Sequence, residues 1–339
     1  MQDRILGNTE IKISVIGMGC WAIGGWMWGG TEEKDSISAI HAALDVGINF
    51  FDTAPMYGYG RSEEILGRAL VGRPRDQVVL ATKCGLICSQ EDWPEGKGEF
   101  HFYATENGAG NGARSDFRVY KYLRPESIRE ELESSLRRLK TDYVDLYQTH
   151  WQDHTSKIAE TMETLLDLKR EGKIRAIGVS NIQKSELDEY FACGQVDAIQ
   201  ERYSLLDREI EENGLMEYAK KTGMSLLPYS PLCQGLLTGR MKEDRSFPKT
   251  DQRSKKERFS PENIRKLNRQ LANLRELCEK YHVSVAQLII AWTFHKYEKI
   301  NVLCGARTVE QVKENAAAGE VILSAEDVEE IENMVKMDI

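Results

Sequence analysis

The chain has no excess of basic residues. Among its 339 residues, Lys and Arg number 45 and Asp and Glu number 54, so the formal net charge is −9 at pH 7. A protein that binds nucleic acid needs a basic surface to neutralise phosphate groups. The acidic balance therefore argues against a nucleic-acid partner.

The sequence also lacks a pattern of paired cysteines. Its seven cysteines are scattered, at positions 20, 84, 88, 193, 233, 278 and 304. This spacing suits neither a disulfide framework nor a zinc site. His150 and His154 are four residues apart, but no H-E-x-x-H motif is present. We therefore expect a reduced, cytoplasmic protein with no bound metal.

One uncharged stretch raises the question of a membrane span. Residues 13–31 carry no charged side chain over 19 positions, which is long enough to cross a bilayer. Six of these residues are glycine, and the preceding segment mixes charges of both signs, unlike a signal peptide. We therefore expect a buried strand followed by a loop rich in glycine and aromatic residues, and no membrane association.

Short β-rich runs alternate with amphipathic segments of helical spacing. A hairpin is predicted around Asn8. Eight strand candidates follow, at 15–20, 48–53, 78–83, 143–150, 174–180, 196–200, 225–230 and 301–306. Helix candidates lie at 33–46, 125–140, 159–171, 184–192, 209–222, 261–281, 284–296, 308–317 and 324–336.

This alternation is typical of an α/β fold with a parallel sheet buried on both faces. Eight units favour closure into a (β/α)8 TIM barrel with an N-terminal β-hairpin, as a single domain over residues 1–339. An open doubly wound sheet is the rival fold. A G-x-G-x-x-G motif opening a helix would support that rival, but no helix begins after GMGCWAIGG.

Two long segments, 84–123 and 232–260, interrupt the alternation. The first has no clear period and carries Trp93, His101 and other aromatic residues. Loops of this length are usually functional, and the aromatic residues favour a lid. The second segment carries a basic cluster, for which a solvated loop and a phosphate-facing loop remain equally open. That cluster consists of Arg253, Lys255, Lys256 and Arg258.

Four polar residues follow or end predicted strands, at the rim where barrel enzymes carry their chemistry. Asp52 ends the second strand with Tyr57 just beyond it, Lys83 ends the third strand, and His150 ends the fourth. A neighbouring ammonium lowers the pKa of a phenol, and a carboxylate keeps that ammonium charged. A neutral imidazole can orient a substrate oxygen. Such a set suits carbonyl reduction, in which an oxygen gains negative charge as hydride arrives.

Each of these four residues has an ordinary structural alternative when it is taken singly. Asp52 could cap a helix, and Tyr57 could pack in a glycine-rich turn. Lys83 could point to solvent, and His150 could be a buried core histidine. The set as a whole carries the chemical hypothesis.

Several stretches, in this order and spacing, resemble the aldo-keto reductase superfamily. They are GINFFDTAPMYGYGRSEEILGRAL, VVLATK, DYVDLYQTHW, IRAIGVSN, YSPL with GLLTG, and GARTVEQVKEN. The resemblance covers about residues 3–335 and is greatest to the bacterial branch that also resembles the potassium-channel β subunits. It implies a barrel that binds NADP(H) at its mouth, with NAD(H) not excluded, and a small-molecule carbonyl or alcohol substrate.

The resemblance also implies a role for individual residues. Tyr57 matches the general acid/base, Lys83 and Asp52 its tuning pair, and His150 the substrate-orienting group. The residues expected to bind the cofactor are Cys20, Trp21, Asp52, Ser180, Asn181, Gln200, Tyr229, Ser230, Leu232, Gly235, Leu236, Gly305, Arg307, Gln311, Glu314 and Asn315. The residues expected to contact the substrate are Trp21, Trp93, His101 and Trp151.

Two positions depart from the family pattern. Cys20 stands where many relatives have a threonine beside the cofactor, which weakens or removes a hydrogen bond. Gln311 stands where some branches carry an arginine for the 2′-phosphate of NADPH. Arg307 is then the main cation expected to bind that phosphate, and the preference for NADPH becomes less secure.

Three functions remain open. The first is an NADPH-dependent reductase of aldehydes or ketones, with a sugar, keto-sugar or inositol-like substrate suggested by the polar and aromatic residues around His101. The second is a cofactor-sensing binding protein with little catalysis, similar to the channel β subunits. The third is a lyase or isomerase that forms a Schiff base at Lys83, which requires a lowered pKa that Asp52 opposes. The oligomeric state is not predicted.

Overall fold

The structure is a computed structural model that describes residues 1–89, 97–106, 108–110, 113 and 116–336. Its strands are β1 (Asp3–Ile5), β2 (Lys12–Ser14), β3 (Ile16–Gly19), β4 (Phe50–Asp52), β5 (Val79–Cys84), β6 (Leu86–Ser89), β7 (Glu99–Thr105), β8 (Gly108–Ala109), β9 (Phe117–Lys121), β10 (Val144–Thr149), β11 (Ile174–Ser180), β12 (Ala198–Arg202), β13 (Ser225–Tyr229) and β14 (Val302–Gly305). Its α-helices are α1 (Glu33–Asp45), α2 (Arg61–Ala69), α3 (Pro125–Leu139), α4 (Ile158–Arg170), α5 (Lys184–Cys193), α6 (Glu209–Glu212), α7 (Leu215–Thr222), α8 (Pro261–Leu271), α9 (Arg275–Tyr281), α10 (Val285–His295), α11 (Val309–Ala318) and α12 (Ala325–Met334).

Eight parallel strands close into a barrel in the order β3, β4, β5, β10, β11, β12, β13 and β14, and β14 pairs back with β3. The predicted (β/α)8 fold is therefore confirmed, and all eight predicted strands are present. Alternate residues of the strands fill the barrel interior with apolar side chains, among them Phe50, Ala81 and Leu146. The β1–β2 hairpin adds Leu6 and Ile13 to the same interior cluster.

Helix α2 was not among the helices predicted from periodicity. It follows a glycine-rich turn and contains Gly67, which lowers helix propensity. Helix α3 passes so close that a Cβ on Gly67 would lie 2.3 Å from the carbonyl oxygen of Arg138. A single helix predicted over 209–222 is instead two helices, α6 and α7, separated at Gly214, whose φ is +85°. The helix predicted over 261–281 is divided by a 3₁₀ turn at Ala272–Leu274.

Segment 84–123 contains an antiparallel sheet in the strand order β6, β9, β7 and β8, which we call the inserted sheet. Its strands are short, and aromatic residues occupy both faces of β7, so no clean alternation appears in the sequence. Two side chains of the barrel mouth bind it, because Trp26 Nε1 and the Tyr59 hydroxyl both donate to the carbonyl oxygen of Thr105, at 2.9 and 3.0 Å. Segment 232–260 forms three 3₁₀ turns, at Cys233–Thr238, Gln252–Lys255 and Glu257–Phe259.

No helix in the described part of the chain is both long and apolar enough to cross a membrane. The uncharged stretch 13–31 forms β3 and the loop that follows it. The loop is buried against the mouth of the barrel by residues such as Trp26 and Ile23. Its apolar character therefore reflects packing inside the fold.

Candidate active site

The carboxyl ends of β4, β5 and β10 bring four polar side chains together at the barrel mouth. The Lys83 ammonium donates to Asp52 Oδ1 at 2.7 Å and lies 3.2 Å from the Tyr57 hydroxyl. The rings of Tyr57 and His150 meet edge to face, with 5.7 Å between their centroids. Residues that are up to 98 positions apart in sequence thus form one cluster, as the spacing predicted.

The ion pair of Lys83 and Asp52 is buried inside the barrel, with 0% and 3% of each residue exposed. Lys83 also donates to the carbonyl oxygen of Thr53 at 2.9 Å. The second carboxylate oxygen of Asp52 accepts from Gln148 Nε2 at 3.1 Å and from Gln200 Nε2 at 2.8 Å. A buried charge is tolerated when it is paired and hydrogen-bonded in this way.

A glycine on the neighbouring strand makes room for this arrangement. Gly178 of β11 lies opposite Gln148 of β10 in the parallel register. A Cβ at Gly178 would lie 2.8 Å from Cγ of Gln148, which is closer than side chains tolerate. Gly178 therefore lets Gln148 reach Asp52.

The charge state of Lys83 follows from its surroundings. Burial alone lowers the pKa of Lys83, but the facing Asp52 and Tyr57 outweigh burial and raise the pKa above its ordinary value. The amine therefore stays protonated. A Schiff-base role, which needs a lowered pKa, is not supported by this environment.

The phenol behaves differently from the prediction. Burial raises the pKa of Tyr57 above 10, and the neighbouring Lys83 opposes this effect without reversing it. The predicted net lowering of the Tyr57 pKa is therefore wrong in sign for the site as it stands, because desolvation of the phenolate outweighs the ammonium. The raised pKa keeps the phenol protonated, as a proton donor requires.

His150 is uncharged at neutral pH. Burial lowers its pKa well below 6.5, and Lys83 and His101 add to this effect. The backbone N–H of His150 donates to the carbonyl oxygen of Cys84 at 2.8 Å, which fixes the end of β10 against β5. A neutral imidazole in this position can hydrogen-bond to an oxygen held beside Tyr57.

A cleft of about 1000 Å³ extends from Asp52, Tyr57 and His150 across the barrel mouth, with Lys83 buried behind them. Its walls include His101 and Trp151, which were expected to contact substrate, whereas Trp93 lies outside the described residues. Leu236 is buried in the core and does not line the cleft. The expected cofactor residues that do line it are Cys20, Trp21, Asp52, Ser180, Asn181, Gln200, Tyr229, Ser230, Leu232, Gly235, Gly305, Arg307, Gln311, Glu314 and Asn315.

One part of the cleft is organised around Asn181, whose backbone has a left-handed φ of +52°. Asn181 Nδ2 donates to the carbonyl oxygen of His150 at 2.9 Å, and its Oδ1 accepts from the Tyr229 hydroxyl at 2.8 Å. The Ser180 hydroxyl donates to the carbonyl oxygen of Gln200 at 2.7 Å. These contacts fix the side chains before any ligand binds, and Oδ1 of Asn181 keeps a free lone pair.

The other end of the cleft lies at the N-terminus of α11. Gln311 Oε1 accepts from the backbone N–H of Arg307 at 2.8 Å. The Arg307 guanidinium donates to the carbonyl oxygens of Trp28 and Gly30, both at 3.2 Å. Arg240 pairs with Glu314, with 2.9 Å between Nη2 and Oε1. Arg307 and Arg240 therefore already have protein partners.

Some residues of the basic cluster in segment 232–260 line the cleft, and others form ion pairs within the protein. Arg253 is buried, pairs with Asp251 at 2.7 Å, and lies over the rings of Trp28 and Phe247. Arg253, Lys255 and Lys256 line the cleft, whereas Arg258 pairs with Asp207 at 3.0 Å.

Sequence reasoning missed two residues that shape the site. Gln148 supports Asp52, and Trp28 receives both Arg253 on its ring and Arg307 on its carbonyl oxygen. Gln148 lies two positions before His150, so strand alternation would have placed it inside the barrel. Trp28 lies in an irregular loop, where no periodic pattern in the sequence indicates which way a side chain points.

Comparison with known proteins agrees with this architecture. The Aldo/keto reductase family model matches residues 15–336. The chain is 42% identical over 332 residues to the NADH-specific methylglyoxal reductase of Escherichia coli K12, covering 96% of each chain. It is 38% identical to the aldo-keto reductase YhdN of Bacillus subtilis, covering 100% of this chain and 95% of that protein.

A solved structure, the glycerol dehydrogenase AKR11B4 from Gluconobacter oxydans, superposes with a TM-score of 0.83 at 35% identity. The match covers 98% of this chain and 94% of that chain. The closed barrel, the four clustered residues and these similarities lead to one conclusion: the chain belongs to the aldo/keto reductase family of oxidoreductases.

Proposed function

We propose that this protein reduces the carbonyl group of an aldehyde or ketone to an alcohol, using NADH or NADPH, and that Tyr57 supplies the proton. The observation that carries this proposal is the hydroxyl of Tyr57, 3.2 Å from the buried ammonium of Lys83. That hydroxyl belongs to a side chain that lines a cleft of about 1000 Å³, with His150 beside it.

The residues of the cleft fit a nicotinamide dinucleotide. Asn181 Oδ1 can accept from a carboxamide, and the ring of Tyr229 offers a flat face beside it. The N-terminus of α11 and the glycine at 305 suit a phosphate group at the far end. When bound, the reduced dinucleotide supplies the hydride.

The four clustered residues then have separate tasks. His150, being uncharged, donates a hydrogen bond to the substrate oxygen and holds it near Tyr57. Tyr57 transfers its proton to that oxygen as negative charge develops there. The Lys83 ammonium stabilises the phenolate that remains, and Asp52 holds the ammonium in place.

Oxidation of NADH and NADPH in the presence of 4-nitrobenzaldehyde tests the proposal. We expect multiple turnovers with at least one of the two cofactors. A protein that binds either cofactor but does not turn over with aldehydes or ketones would instead favour the cofactor-sensing function similar to the channel β subunits. A lysine adduct trapped with borohydride and a carbonyl substrate would favour the Schiff-base function.

Cofactor choice depends on the far end of the cleft. We propose that NADH is used at least as readily as NADPH, because Arg307 and Arg240 are bound to protein groups and Gln311 is uncharged. The relative named as NADH-specific, at 42% identity, supports this choice.

Replacing Arg307 with Ala is expected to raise the KM for NADH and for NADPH by similar factors, below about tenfold. The reason is that the guanidinium anchors the loop at Trp28 and Gly30, which either cofactor would contact. Steady-state kinetics with both cofactors measure this effect, with Lys313→Ala as a control, because Lys313 is an exposed residue of α11 that does not line the cleft. An increase confined to NADPH would instead assign the 2′-phosphate to Arg307.

The reduction rate is expected to be flat between about pH 6.5 and pH 10. The pKa of His150 lies well below 6.5, so its neutral form persists down to acidic pH and is lost only below that range. The pKa of Tyr57 lies above 10, so its protonated form is lost only above that range. A pH profile of kcat/KM for reduction measures this, and an apparent pKa near 7 to 8 would contradict it.

A further inference from the structure

Beside Tyr57 and His150, the cleft has a largely apolar wall. It is built from the loop after β3, the turn before α2, the inserted sheet and the residue after His150. Its large side chains are Trp21, Trp26, Met56, Leu86, Phe102 and Trp151. The indole N–H of Trp26 donates to the carbonyl oxygen of Thr105, whereas the indole N–H of Trp21 has no hydrogen-bond partner among the described residues. This wall therefore offers few hydrogen-bonding groups to a substrate.

His101 of β7 adds an imidazole ring, with a donor and an acceptor, to that wall. Its ring lies 4.7 Å from the ring of Trp151 and 5.0 Å from that of Phe102, measured between centroids, and it lines the cleft. Within the described ranges, no residue hydrogen-bonds to its ring nitrogens. Burial, reinforced by Lys121, lowers the pKa of His101 to about 4. At neutral pH the ring therefore offers one N–H donor and one acceptor to the cleft.

His101 also lies close to the residue that orients the reacting carbonyl. His101 and His150 both line the cleft, and the repulsion that a protonated His101 would exert is one cause of the lowered pKa of His150. Trp151, which contacts His101, is the next residue after His150 in the chain. A group bound to His101 would therefore belong to the same small substrate as the carbonyl bound to His150.

A polyol is poorly matched to this surface. Each hydroxyl that loses water and gains no protein partner costs free energy, and the apolar wall would leave several hydroxyls in that state. One further oxygen can be satisfied by His101, and an apolar or aromatic body can pack on Trp151 and Phe102. The earlier expectation of a sugar, keto-sugar or inositol-like substrate is therefore less well supported than a more apolar one.

We propose that His101 is a specificity-determining residue that hydrogen-bonds a second oxygen of the substrate. The preferred substrates are then apolar or aryl carbonyl compounds that carry one oxygen beside the reacting carbonyl, such as aryl 2-oxoaldehydes. This inference rests on the proposed carbonyl reduction and adds a substrate class to it.

The test compares phenylglyoxal with phenylacetaldehyde, which has the same carbon skeleton but no second oxygen. His101→Phe keeps a flat apolar ring and removes both hydrogen-bonding groups, whereas His101→Asn keeps a donor and an acceptor. We expect His101→Phe to lower kcat/KM for phenylglyoxal about tenfold, mainly through KM, and to change that for phenylacetaldehyde by less than about twofold. We expect His101→Asn to restore part of the loss. The two substrates differ in intrinsic reactivity, but this does not affect the test, because kcat/KM for each substrate is compared between the variant and the wild type.

Equal losses for both substrates, or no loss for phenylglyoxal, would overturn the role of His101 while leaving carbonyl reduction intact. Faster wild-type turnover of the open-chain keto-sugar L-erythrulose than of phenylglyoxal would overturn the substrate class. If the wild-type protein reduces none of the three compounds, and 4-nitrobenzaldehyde also fails, the proposed function itself is wrong. Cofactor affinity and the thermal midpoint of each variant report whether the fold is retained.

Discussion

Replacing Tyr57 with Phe is expected to abolish turnover and to leave cofactor binding nearly unchanged. The substitution removes one oxygen atom and keeps the ring, which stacks on Trp21 and meets His150 edge to face. His150 cannot take over as the acid, because its lowered pKa leaves it uncharged at neutral pH, and the N–H of a neutral imidazole is far too weak an acid to transfer its proton. General acid catalysis contributes about 10² to 10⁴-fold, so we expect kcat to fall by about a hundredfold to ten-thousandfold.

The measurement is the steady-state rate of NADH or NADPH oxidation, together with a fluorescence titration of cofactor binding. Tyr143→Phe is a matched control, because Tyr143 precedes the first residue of β10, at the opposite end of the strand from His150. We expect that control to keep wild-type activity. Full activity in Tyr57→Phe would show that another group supplies the proton.

Replacing Lys83 with Met is expected to destabilise the fold as well as remove activity. Lys83 is fully buried, and its ammonium is the counter-ion of the buried carboxylate of Asp52. Removing one partner of such a pair leaves an uncompensated charge, which costs about 3–5 kcal/mol of unfolding free energy. Gln148 and Gln200 still donate to the carboxylate, so the loss should lie at the lower end of that range.

The double variant Asp52→Asn with Lys83→Met separates charge from packing. It removes the unpaired carboxylate, and we expect it to be more stable than Lys83→Met alone although it is equally inactive. Urea unfolding measures the free energy of unfolding of the wild type, of Asp52→Asn, of Lys83→Met and of the double variant. A double variant that is less stable than both single variants would show that shape, and not the unpaired charge, dominates the cost.

The barrel and the four-residue cluster could be predicted because both depend on local patterns. Strand and helix periods fixed the order of elements, and parallel strands bring Asp52, Lys83 and His150 to one rim. The inserted sheet could not be predicted, since its short strands have aromatic residues on both faces and pair antiparallel across segments of no clear period.

Properties that depend on burial and on distant partners could not be predicted from the sequence either. The sequence shows a charged residue at position 83, but the desolvation that raises the pKa of Tyr57 depends on packing from several strands. The guanidinium of Arg307 was expected at a phosphate, whereas it binds carbonyl oxygens almost 280 positions away in the chain. No local pattern specifies such contacts.

Transfer of deuterium from a reduced cofactor that carries two deuterium atoms at C4 of the nicotinamide tests carbonyl reduction at this site most directly. With 4-nitrobenzaldehyde and the wild-type protein, we predict that deuterium appears on the carbinol carbon of the alcohol, and that Tyr57→Phe binds the labelled cofactor without forming the alcohol. An alcohol formed without deuterium, or labelled alcohol produced at the wild-type rate by Tyr57→Phe, would contradict the proposed chemistry.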